Sequence, residues 1–162
     1  SSRGKTIIPL KDEVEHVRNY LLIQKIRFGD QFTYSIDVDP SLYQYSCIKL
    51  ILQPLVENAI EHGLNDNESG GKIEIIGVQN ENYIILKIKD NGYGISEDKL
   101  EQIYKSFHDD SIHQGVGLKN VYQRIKIYYG EEADIKIDSL FDEGTIISIY
   151  IPKKKAVKNE EK

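Results

Sequence analysis

The sequence predicts an α+β fold: a two-layer α/β sandwich in which a mixed sheet carries its helices on one face. Alternating apolar and polar residues mark five strands, and 3.6-residue spacing marks the helices between them. Their order is helix, strand, helix, two strands, short helix, loop, helix, two strands, which gives an α+β sandwich with the helices packed on one face of a mixed sheet. No internal repeat competes with this reading.

Residues 10–29 form the first expected helix. Val14, Val17, Leu21 and Phe28 recur at helical spacing, with Asp12 and Glu13 near its start and Gly29 as its stop. A strand follows at 32–39, ending before Pro40. Residues 41–64 read as one long helix opened by Ser41 and closed at Gly63, with Pro54 as an internal kink or break. The tract 65–71 is a polar loop. Residues 72–78 and 83–90 read as neighbouring strands joined by the turn-forming Gln79–Asn82. A glycine-spaced turn leads into a short helix over 96–105, and 106–116 has no periodicity and reads as a mobile loop. A helix over 116–129 stops at Gly130, and strands at 133–140 and 144–152 close the fold.

The 162 residues suit one domain with a single core and short appendages, and 40% hydrophobic with 29% charged residues is an ordinary globular balance. A formal charge of -5 argues against a nucleic-acid partner, which ordinarily demands a basic excess. Lys153–Lys155 lie in a charged end that reads as a solvated tail. The lone Cys47 excludes an internal disulfide and reads as a small buried hydrophobe within the second helix. No apolar stretch approaches the ~20 residues of a membrane span. The chain contains no methionine, so an excised fragment of a longer protein is expected.

Three segments carry candidate chemistry. In Gln53–Gly63, Asn58 and His62 share a helix face with Glu61 beside them. A neutral amide oxygen suits Mg²⁺, which takes few protein ligands beside phosphate oxygens; a polar stripe on an amphipathic helix is the plain alternative. In Asp90–Ile95, an aspartate ending an apolar strand can accept from an exocyclic amine. Gly92 and Gly94 there permit close approach and positive φ; an ordinary Asn-Gly turn is the plain alternative. In Gly115–Asn120, a glycine-rich loop opens a helix, and free N–H groups with the helix dipole make an anion site. Lys119 could add a point charge. Neither a dinucleotide fingerprint nor a Walker loop is present.

Together these segments resemble the N box, the DxGxG box and the GxGL box of the GHKL ATPases, in family order. Gly144-Thr145 matches that superfamily's closing Gly-Thr, where the threonine hydroxyl helps hold the aspartate–adenine contact. Four signals in order over about 50–151 would need four coincidences in a plain α+β domain. The wording QPLVENAIEHG and GLKNVYQRIKIYYG, with Tyr20-Leu21, Gln24 and Arg27-Phe28 upstream, is similar to the LytS/YesM-like sensor histidine kinases over about 10–152.

The resemblance implies a two-layer sandwich of the GHKL (Bergerat) type that binds ATP with Mg²⁺. By position, Asn58 would ligate Mg²⁺ and Asp90 would read adenine. Gly92, Gly94 and Ile95 would shape the base pocket. Gly115, Val116, Gly117 and Leu118, with Lys119, would close on the phosphates; Glu61, His62 and Thr145 would complete the cofactor contacts. Glu57 lies about 100° around the helix from Asn58 and is either within reach of the metal or a structural acid. Relatives that hydrolyse ATP carry a water-activating glutamate four residues before the N-box asparagine. Pro54 stands there, which argues for phosphoryl transfer rather than hydrolysis.

The acceptor would be a histidine that the family sets in an asparagine-proline-histidine-phenylalanine context, absent here. His16, His108 and His113 read as exposed or loop residues. Residues 1–30 would then continue a dimerisation and phosphoacceptor stem, 31–152 would be the ATP-binding catalytic domain, and 153–162 a flexible charged tail. The expected partners are the kinase's own phosphoacceptor helix and a response regulator. The parent would be a homodimer anchored in the cell membrane with this domain cytoplasmic, and the fragment alone a monomer or weak dimer. The alternatives are a protein-serine kinase of the anti-sigma-factor type and a GHKL module that senses ATP without transferring it.

Overall fold

The computed structural model of the chain describes residues 6–63 and 70–159. In chain order the elements are β1 (Ile7–Pro9), α1 (Leu10–Phe28), β2 (Phe32–Val38), β3 (Tyr45–Ile48), α2 (Gln53–Gly63), β4 (Gly71–Gln79), β5 (Tyr83–Asp90), α3 (Glu97–Ser106), α4 (Val116–Tyr129), β6 (Asp134–Leu140), β7 (Gly144–Pro152) and β8 (Val157–Lys158). The main sheet runs β2-β4-β5-β7-β6. Its β2–β4 pair is parallel and the rest antiparallel, so the sheet is mixed as expected.

Strand periodicity sorts the two faces. On β5, Ile84, Leu86 and Ile88 are buried beneath the helices, while Lys87 and Lys89 lie on the opposite face. On β7 their partners Ile147, Ile149 and Ile151 complete the same core face. The first, second and fourth helices cover it: α1 packs on β2, α2 on β4 and β5, and α4 on β6 and β7. The other face is mixed: Lys72 and Lys89 both pair with Glu74, beside Ile76, Ile85, Ile146 and Tyr150.

The single helix expected over 41–64 is three elements instead. A 3₁₀ turn at Pro40–Gln44 leads into β3, and α2 begins only at Gln53. A helix running through Pro54 would lose an N–H donor and drive the ring into the carbonyl four residues back. In the first turn of α2 neither problem arises, so the proline marks a helix start rather than a kink. Tyr45–Ile48 alternates instead as the middle strand of a small sheet ordered β1-β3-β8. Cys47 is buried there, on a strand and not on a helix.

The charged end carries short elements over its described residues. Lys153–Lys155 make a 3₁₀ turn, Val157–Lys158 pair with Tyr45 and Ser46, and Asn159 donates to the Tyr43 carbonyl at 2.8 Å. The expected polar loop at 65–71 lies outside the described residues except for Gly70 and Gly71, as do residues 1–5 and 160–162.

Candidate nucleotide-binding site

A cavity of about 510 Å³ opens between the helices and one end of the sheet. Its floor comes from strand register. Asp90 ends β5 on the core-facing side and pairs across the ladder with Thr145, which opens β7. Two further core-face residues, Ile88 and Ile147, extend an apolar floor beside them. Burial pushes the Asp90 carboxyl above its ordinary value. The N–H groups of Gly92 and Thr145 and the charge of His62 oppose that rise.

The turn after β5 is shaped by what its glycines exclude. Gly92 is buried and its N–H donates to Asp90 Oδ1 at 2.9 Å, so it orients the acid without lining the cavity. Gly94 has φ 77°, and a Cβ there would sit 2.2 Å from the Leu140 carbonyl oxygen. Gly144, at φ 117°, would bring a Cβ within 2.1 Å of the Asp90 carbonyl oxygen. Two backbone approaches therefore depend on having no side chain. Ser139 joins them: its hydroxyl accepts from the Ile95 N–H at 2.7 Å and lies 2.9 Å from the Thr145 hydroxyl. Sequence reasoning missed Ser139, because a single serine in an alternating strand carries no signal of its own.

The wall opposite belongs to α2, through half-buried Asn58, exposed His62 and buried Ala59. The mouth belongs to Gly115–Leu118, where Gly115 takes φ 70° as the N-cap of α4. A Cβ on Gly117 would have nothing closer than Asn58 Nδ2 at 3.9 Å, so that glycine leaves open space facing the amide. An apolar floor, one acid with a raised pKa, a neutral amide and a helix N-terminus with an open glycine fit an aromatic base with a phosphate chain.

Besides Gly92, three expected contributors are not brought to this cavity. Glu57 and Glu61 are exposed, and the helical turn sends them toward α1, where their charges join burial in raising the Tyr20 phenol. Gln53 donates to Glu57 at 3.1 Å. Lys119 is turned away as well: its buried ammonium meets Asp110 Oδ1 at 3.0 Å and the Asp109 carbonyl at 3.3 Å. The lysine thus fastens the loop before α4 rather than offering a charge to a ligand. Phe107, stacked on Tyr122 with centroids 4.4 Å apart, anchors the other end of that loop. Lys99, Ile103, Tyr93 and His113 line the cavity in addition to the expected set. The first two are a helical turn apart on α3, a spacing that placed them on one face but gave no reason to aim that face here.

A family described as histidine kinase-, DNA gyrase B-, and HSP90-like ATPase matches residues 45–155, and one described as histidine kinase matches residues 1–32. The sensor protein LytS of Bacillus cereus is 32% identical over 148 residues, which are 91% of this chain and 25% of that protein. The sensor histidine kinase YesM of Bacillus subtilis is 32% identical over 148 residues, 91% of this chain and 24% of that protein. The chain spans about a quarter of the length of these curated relatives. Among solved structures, the nucleotide-free catalytic domain of histidine kinase ThkA superposes with a TM-score of 0.67 at 21% identity. That match covers 93% of this chain and 97% of the other, a likeness of fold.

Proposed function

We propose a phosphoryl-transfer role on one foundation: the chain belongs to the histidine kinase-, DNA gyrase B- and HSP90-like ATPase family, and residues 45–155 are its ATP-binding domain. The domain serves a two-component sensor histidine kinase, passing the γ-phosphoryl of ATP to a histidine outside these 162 residues. The parent's homodimerisation, membrane anchor and response-regulator partner belong to the same reading. The observation that carries it is one cavity bounded by Asp90 on the sheet, Asn58 on α2 and Gly117 on α4.

In this reading Asp90 accepts from the exocyclic amine of adenine, and Ser139 and Thr145 hold the surrounding backbone in place. Ile88, Ile95, Ile103 and Ile147 give the ring an apolar slot that excludes water. The N–H groups opening α4 point at the phosphates, and Gly117 keeps the approach clear. Asn58 offers its amide oxygen to Mg²⁺, which supplies charge neutralisation on the phosphate oxygens. Such a step needs positioning and electrostatics more than covalent help from the protein. The domain therefore supplies a cradle, and the nucleophilic imidazole nitrogen and any base come from the partner helix. Pro54, four residues before Asn58, leaves no water-activating carboxylate at that place.

Titration calorimetry with ATP, with and without Mg²⁺, tests the reading. Asp90→Asn should weaken ATP binding by about 100-fold, in keeping with loss of a buried charged hydrogen bond. Asn58→Ala should remove the Mg²⁺ dependence. Unchanged affinity in Asp90→Asn would refute the adenine assignment. Acid-labile self-phosphorylation of this chain, lost on replacing one of its four histidines, would refute an external acceptor.

A further inference from the structure

The turn that feeds α2 is held by side chains from two other helices. Lys49–Leu52 connect β3 to α2, and Leu50 takes φ 60°, a left-handed conformation that a branched residue keeps only when its surroundings impose it. From α1, the fully buried Glu13 carboxylate accepts from the Leu50 N–H at 3.1 and 2.8 Å, and also from the N–H groups of Ile51 and Leu52. From α4, Arg124 donates through Nη1 to the Leu50 carbonyl at 2.7 Å and through Nη2 to the Lys49 carbonyl. Tyr129, also on α4, accepts from the Ile48 N–H at 3.0 Å.

These bonds supply what α2 lacks. The carbonyl of Leu52 accepts from the Leu55 and Val56 N–H groups, so leucine stands where a Ser, Thr, Asp or Asn cap would serve a helix start. Of the N–H groups that Glu13 meets, that of Leu52 belongs to the helix start, and the carboxyl lies at the positive end of the α2 dipole. Asn58 lies within two turns of that end. The helix that supplies Arg124 carries Gly117 at its other end, facing Asn58.

We propose that Glu13 and Arg124 are positioning residues for the metal–nucleotide site, acting through the Lys49–Leu52 turn on the placement of Asn58. The inference rests on the functional reading above and goes beyond it. It makes α1, which precedes the catalytic fold, a structural member of the site. Neither side chain touches the nucleotide. One fixes the N–H side of the turn and the other fixes the carbonyl side, so both are needed for one position of α2.

The test uses the full 162-residue chain and its Glu13→Gln and Arg124→Lys variants. Each conservative change keeps the size and part of the hydrogen bonding while breaking the double clamp. Calorimetry measures ATP affinity with and without Mg²⁺, and thermal melts report folding. The gain in affinity that Mg²⁺ gives ATP should fall by about tenfold in each variant, as when the outer shell of a metal site is altered. Metal-free binding should be unchanged, and the double variant should lose less than the sum. Equal losses with and without Mg²⁺ would mean a general loss of packing and overturn the inference, as would no loss at all. If Glu13→Gln does not fold, Arg124→Lys decides alone. Wild type and Asn58→Ala measured alongside separate the two levels: no Mg²⁺ response in wild type defeats the functional reading itself. A response that Asn58→Ala removes and both clamp variants keep defeats only this inference.

Discussion

The proposed contact with an exocyclic amine is strongest with Asp90 as a carboxylate, yet burial raises its pKa against the two N–H groups and the His62 charge. An acid whose folded pKa is raised stabilises the fold most below its unfolded pKa, near 3.8 here. That contribution is lost as pH rises through the higher folded value. Asp90→Asn removes the titration, so its stability relative to wild type should increase from pH 3.5 to pH 7. Chemical denaturation at a series of pH values checks this, and a flat difference would show that the carboxyl sits in an ordinary environment. The substitution expected to weaken ATP binding should thus relieve the unliganded fold, as where a functional group is held against its own solvation.

At the scale of elements, α4 separates binding from stability at one position. Gly117 sits in the first turn of the helix with ordinary φ, and an added Cβ meets only the Asn58 amide, at 3.9 Å. Gly117→Ala should stabilise the unliganded domain by about 0.5–1 kcal/mol, the usual helical cost of glycine. In the proposed reading the methyl group stands where the phosphates approach, so ATP affinity should fall by about tenfold or more. A thermal melt paired with an ATP titration measures both, and a rise in affinity would contradict the phosphate assignment. The elements themselves are legible in the sequence to different degrees. The five main strands, α1, α3 and α4 follow from periodicity, because each pairs a clear apolar face with a polar one. Residues 41–52 mislead because Leu42, Tyr45, Ile48 and Leu52 mimic helical spacing while Tyr45–Ile48 also alternate. Pro54 is the deciding residue and admits two readings. The short strands β1 and β8 carry no pattern long enough to see, and the clamp of Glu13 on Leu50 is a long-range contact between residues that look locally ordinary. Asn58, Asp90 and the glycines are legible because their chemistry is local to each segment; the directions of Glu57, Glu61 and Lys119 are set by neighbouring helices.

At the scale of the whole molecule, α1 packs into the core of the domain. Leu10, Val14, Val17 and Leu21 are each at most 2% exposed and join the same core as α2 and the sheet. Burial of such side chains contributes about 1.5–3 kcal/mol each, which together is comparable with the about 5–15 kcal/mol that holds a typical domain folded. A chain starting at Asp30 also loses Glu13. It should fail to fold cooperatively, seen as a lost thermal transition, and a sharp transition near that of the full chain would show that residues 31–152 suffice. The ladder has a consequence in time as well. The middle strand β5 has β4 next to it in sequence, but its other neighbour, β7, arrives only after α3, α4 and β6 have been made. That pairing closes a longer loop than β4–β5 and so carries the larger closure entropy. Asp90 and Thr145 face each other across this seam, so the proposed base pocket is complete only once β7 has joined β5. A nucleotide held as proposed would therefore reward the finished fold rather than its early steps.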